Sequence, residues 1–291
     1  MKIPRRSILK GMMAGGALAS YGLPRFSFAA ATAVEPIAPR QFMLLTAGIG
    51  DAARSFGLGG QAAGAAGSLA FGIGLPDVGE LYRLFPKVRG KRLVGLMSDA
   101  AYILFCEAAR DAGVAQMFEG RHMIATNGSS ARHSLRSVPG FHGASETLAA
   151  TLVRDDAGFA ITEVPLGGSG NALRGADWTS LGFASYRVTR ASPQDEIWLH
   201  LSGLGLGQGC DALGVDVSNA ESLRCWRSGV QPRGVPGSGW EQTLGQALSA
   251  LATASAGIRA PCVNQAFIHQ PLPQADGGMA YDSFVSFVME A

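Results

Sequence analysis

Apolar and polar positions alternate along this chain in two registers. Short apolar runs of strand length are bounded by turn residues, and longer stretches repeat at helical spacing. QFMLLTAG, from Gln41 to Gly48, predicts a short strand, and KRLVGLMS, from Lys91 to Ser98, predicts another. Ser98 and Asp99 then supply an N-cap for DAAYILFCEAARDAG, a helix that stops at Gly113. RHMIAT leads into the turn dipeptide Asn127-Gly128, and TLVRDDAGFAITEV predicts a hairpin about Asp155 to Gly158. LGFASYRVTR and DEIWLHLSG read as further strands, so residues 121–202 are expected to form an antiparallel sheet. Ser238 to Glu241 fits a capping box, opening a helix whose apolar face carries Leu244, Leu248 and Leu251. Two strand-like runs, CVNQAFIHQ and YDSFVSFVM, close the chain. The expected fold class is α+β or mixed α/β, with a largely antiparallel sheet in the middle and flanking helices.

The first 33 residues follow a different pattern. Arg5 and Arg6 are followed by Ser7, Ile8, Leu9 and Lys10, then by the uncharged run GMMAGGALASYG from Gly11 to Gly22. That run is too short and too glycine-rich for a stable membrane helix. Arg25 and a small-residue segment come next, with plausible cleavage after Ala29, Ala31 or Ala33. This segment resembles a twin-arginine (Tat) signal peptide. The resemblance implies export in the folded state, a bacterial periplasmic location, the twin-arginine translocase as partner during export, and a mature region of residues 34–291, expected to be one domain.

Removing the leader inverts the charge balance. It holds five of the 24 lysines and arginines and none of the 22 acids, so 19 basic residues remain and the net charge becomes −3. With no Lys/Arg block, the mature chain is not expected to bind nucleic acid. Only 16% of residues are charged while 47% are hydrophobic, which points to a surface covered in part by a protein partner. From Ser55 to Pro76 there is no charge at all. The Gly60-x-x-x-Gly64 spacing there raises a membrane helix, but the run is too weakly hydrophobic, and a buried small-residue helix or loop under the sheet is expected instead.

The chemistry-bearing residues are sparse. Four cysteines, at 106, 210, 225 and 262, include no C-x-x-C, and five histidines include no H-x-x-x-H, so neither a metal nor a covalent cofactor is indicated by motif. Cys210 and Cys225 are candidates for a disulfide, and Cys210 with His200 for a thiol site; the two exclude each other. The glycines at 203, 205, 207 and 209 form a loop after a strand without the dinucleotide spacing. Cys106 is expected to be a buried thiol, and His200 and His269 hydrogen-bonded structural residues. The stretch NGSSARHSLRSVPGFHGASE is rich in Ser, Arg and His. It offers a hydrolase site of His133 and His142 with Ser130 or Ser145, oriented by Glu146 or Asp155. Three functions follow: an exported binding or accessory protein of an envelope process; a periplasmic hydrolase built on residues 129–146; and a redox subunit holding a non-covalent cofactor at Gly203 to Cys210.

Overall fold

The structure is a computed structural model. It describes residues 41–291 except 73, 139–140, 142, 154–157, 166–180, 190–195, 223–238, 254–263 and 271–279. Eleven strands form one sheet. They are β1 (Phe42–Ala47), β2 (Gly67–Ala70), β3 (Arg92–Ser98), β4 (Ala115–Ala125), β5 (Ser130–Ser137), β6 (Gly158–Pro165), β7 (Ala184–Thr189), β8 (Glu196–Ser202), β9 (Ala220–Ser222), β10 (Asn264–His269) and β11 (Tyr281–Glu290). The helices are α1 (Gly50–Ala62), α2 (Val78–Leu84), α3 (Asp99–Asp111), α4 (Ala144–Leu152), α5 (Leu206–Leu213) and α6 (Trp240–Thr253).

Strand order is β2-β1-β3-β11-β4-β5-β6-β10-β8-β7-β9. The architecture is mixed α/β, and the sheet is mixed rather than largely antiparallel. β5 and β6 run parallel and are joined through α4, and β10 inserts between β6 and β8, parallel to β8. The hairpin expected about Asp155 does not form as drawn, because Thr151 and Leu152 end α4 rather than a strand. Buried small and apolar residues, Leu148 and Ala149 among them, give that segment its helix. The turn at Asn127-Gly128 does form, with Gly128 at φ 71°, a conformation glycine adopts without steric cost.

Helices α1, α4 and α6 cover one face of the sheet over Phe42, Leu44, Val94, Phe118, Leu135 and Phe267. The opposite face is covered at one end by α2 and α3, over Leu45, Leu93 and Met97, and at the other by α5, over Leu199 and Leu201. Ser98 caps α3 by accepting from the amide of Ala101 at 3.4 Å, as its place in the sequence implies.

The charge-free run from Ser55 does two jobs. Its first part continues α1, where glycine permits a close crossing with α6. A Cβ on Gly59 would lie 2.0 Å from the Gln242 carbonyl oxygen, and one on Gly245 would lie 2.3 Å from that of Phe56. The crossing thus uses Gly59 and Gly245, Gly60 instead makes room for the Leu44 side chain of β1, and Gly64 takes no part, since a Cβ there would meet nothing within 4 Å. The second part is β2, which lies at the edge of the sheet with Leu69 exposed rather than buried beneath it. No helix among the described residues is long and apolar enough to cross a membrane. Arg92, fully buried on β3, donates from Nη1 to the carbonyl of Ala252 at 2.7 Å and places its cation at the C-terminal end of α6.

Candidate functional site

The Ser/His set suggested by the sequence is distributed over separate surroundings. Ser130 and His133 both lie on β5, three residues apart, so their side chains leave opposite faces of the sheet. Ser145, in the first turn of α4, is buried and donates its hydroxyl to Glu163 of β6. The same carboxylate accepts from the amides of Gly143 at 3.1 Å and Ser145 at 3.3 Å, so it caps α4 from a neighbouring strand. Glu146 receives a hydrogen bond from the Gln265 amide at 3.5 Å. His142 and Asp155 lie outside the described residues. Arg5, Arg6 and Cys225 also lie outside them.

His133 instead meets His122. The two residues face each other across β4 and β5, with Nδ1 atoms 2.8 Å apart, and His122 Nε2 lies 2.8 Å from Ser286 Oγ on β11. Trp240, the first residue of α6, packs on both rings at centroid distances of 5.1 and 5.5 Å. The backbone makes room at Gly120, where a Cβ would lie 2.5 Å from Ser286 Oγ and 2.9 Å from His122 Nε2. One proton serves the Nδ1 pair. If His122 carries it, His122 Nε2 accepts from Ser286 and His133 Nε2 bears a proton. If His133 Nδ1 carries it, His122 Nε2 donates to Ser286 and His133 Nε2 is a bare acceptor. In both arrangements His133 Nε2 is buried with no hydrogen-bond partner among the described residues.

Burial holds both rings neutral. It lowers the His133 pKa from the ordinary 6.5 to about 3 and depresses His122 well below its ordinary value, with the neighbouring His133 adding to the effect. His200 occupies the same row across the sheet through Ile161 and Phe267. Its Nδ1 lies 2.8 Å from Ser185 Oγ, its ring stacks on Phe267, and burial lowers its pKa to about 3. Cys210 lies on α5 among Leu199 and Leu201, beneath the face opposite His200, and burial raises its thiol pKa. A buried, protonated thiol is a poor nucleophile. Cys106 is partly buried on α3. Among the described residues, no three metal-ligating side chains come together.

Two accessible features remain. The first is a groove of about 330 Å³ on the face opposite the histidines, between the parts covered by α3 and α5. Arg121, Ser134 and Thr162 align in one row across β4, β5 and β6. Glu119, Arg136 and Val164 align in the next, and Asn264 pairs with Ile197 beyond it. Arg121 is paired with Glu119 at 3.0 Å, while Arg136 is exposed and makes no ion pair among the described residues. Burial pushes the Glu119 carboxyl up, but hydrogen bonds from Gln116, Arg121 and Tyr102 outweigh it and hold the pKa below the ordinary value.

The second feature is the β2 edge. A hollow of about 260 Å³ lies on the α1 side, lined by Leu58, Gly57 and Ser68 with Arg54, and one of about 600 Å³ lies on the α2 side, lined by Leu69, Phe71 and Leu84 with Glu80, Arg83 and Lys87. Leu58 and Leu69, which line the hollows, are exposed. The other edge strand, β9, is three residues long and carries Glu221 in an ion pair with Arg187. Charge blunts that edge against pairing; β2 itself carries no charged residue, the charges beside it lying on α1, α2 and the turn after α2.

Compared with known proteins, the chain matches no family model, no curated protein and no solved structure.

Proposed function

We propose that this is an exported binding or accessory protein that works in the periplasm by docking a strand of a partner polypeptide on the β2 edge. The supporting observation is the uncharged edge strand with a hollow on each side. A strand added to an edge gains main-chain hydrogen bonds, and its side chains fall alternately to the two faces. The hollows are placed to receive them. The absence of charge from Ser55 to Pro76 is what an interface needs and what an exposed solvated surface does not. The Tat-like leader, with Arg5 and Arg6, supports delivery to the periplasm of a chain already folded when it meets its partner.

The hydrolase alternative draws less support, since Ser145 is engaged by Glu163 and His133 by His122, each away from solvent. The test is capture from periplasmic extract with the tagged mature chain and its Leu69→Lys variant. The variant places a solvated charge on an exposed edge position, leaving the fold intact, and should lose whatever the parent retains. Equal recovery by both would remove the β2 edge from the function.

A further inference from the structure

The groove over β4, β5 and β6 has a polarity that runs in one direction. At one end stand the guanidinium groups of Arg121 and Arg136, with Ser134 and Thr162 as hydroxyl donors beside them. At the other end stand Ile197 of β8 and Leu213 of α5. Strand spacing puts about 19 Å between β4 and β8 along this line. Arg132 adds a third cation on the same face of β5, and Glu119 offsets one of the three.

We propose that the groove binds an amphiphilic monoanion, a small carboxylate head carrying an unbranched apolar tail. Arg136 takes the head in a charge-assisted, two-point hydrogen bond; Glu119, which faces it from β4, is engaged by Arg121, Gln116 and Tyr102 instead. The tail lies across the strands over Val164 toward Ile197 and Leu213. A purely inorganic anion would leave that apolar end empty, and a neutral hydrocarbon would leave the cations unused. The volume suits a chain of about ten carbons, in the range of small-molecule pockets. This site is distinct from the β2 edge and does not rest on the docking reading.

Calorimetry on the full chain tests it, with decanoate, hexanoate, acetate, decyltrimethylammonium and a glutamate-rich peptide as probes. Decanoate should bind. Each pair of methylenes removed should weaken binding roughly tenfold. The Arg136→Gln variant should weaken decanoate at least tenfold, and Leu213→Ser should weaken decanoate more than acetate. Because Arg136 is exposed, its variant folds, and a far-ultraviolet spectrum verifies this for both. Decanoate binding no tighter than acetate would overturn the inference, as would decyltrimethylammonium binding equally well, the acidic peptide binding in place of decanoate, or Arg136→Gln binding unchanged. Loss of partner capture on Leu69→Lys is read separately, so either proposal can fail alone.

Discussion

Acid is expected to destabilise this protein well above the pH at which its carboxylates titrate. His133 and His200 are buried and neutral, with pKa values near 3 in the folded chain against an ordinary 6.5. Below pH 6.5 the unfolded chain takes up protons that the folded chain refuses, so stability falls as pH falls through the window from about 6.5 to about 3. Between pH 7 and pH 5 each of these histidines costs about 2 kcal/mol, giving about 4 kcal/mol for the two. His122 shifts in the same direction. A loss of that size is a large share of the 5–15 kcal/mol typical of a folded domain. Urea unfolding followed by tryptophan fluorescence and far-ultraviolet dichroism at pH 7, 6 and 5 measures it, with Trp240 packed against the pair as an internal reporter. In the His200→Gln variant the pH-dependent loss should shrink by about 2 kcal/mol, because one titrating group has been removed. An unfolding free energy equal at pH 7 and pH 5, or an undiminished pH slope in His200→Gln, would refute the assignment of neutral buried imidazoles.

Other outcomes follow from single contacts. Gly59→Ala drives a methyl into the Gln242 carbonyl and should destabilise by about 1–3 kcal/mol in urea, whereas Gly64→Ala avoids that clash and meets only the strain of φ +89°, about 1–2 kcal/mol. Gly120→Ala should displace Ser286 from His122, seen as a changed His122 imidazole nitrogen resonance together with a loss of about 1–3 kcal/mol. Glu163→Ala removes the acceptor shared by Gly143 and Ser145 and should lower stability by about 1–3 kcal/mol; Ser145→Ala, which leaves both amides satisfied, should cost less. Replacing Arg5 and Arg6 by lysine should strand the precursor in the cytoplasm, read by fractionation, and unaffected export would refute the Tat reading.

Much of the fold was legible as local pattern. The strands near Phe42, Arg92, Ala184 and Asn264 and the helix capped by Ser98 all carry their own periodicity and punctuation. What was not legible was which strands become neighbours. Thr151 to Val164 reads as a hairpin ending in β6 when Thr151 and Leu152 are taken for strand, because small and apolar residues suit a buried helix as well as a buried strand. The insertion of β10 beside β8 depends on pairing across more than sixty residues, which no local signal encodes. The histidine pair does carry a sequence signal. A hairpin centred between Asn127 and Gly128 sets each residue opposite the one equally far beyond the turn, and His122 and His133 are such a pair. The β2 edge shows the reverse difficulty: an uncharged run reads as buried until the topology places it at the end of the sheet.

The proposed function depends most heavily on that edge. Tagged mature chain and its Leu69→Lys variant, recovered in parallel from periplasmic extract and sized by light scattering, should differ. The parent should elute with a stoichiometric polypeptide partner and the variant alone, with unchanged far-ultraviolet spectra. A parent recovered as a lone monomer, or a partner retained equally by both, would contradict the proposed function.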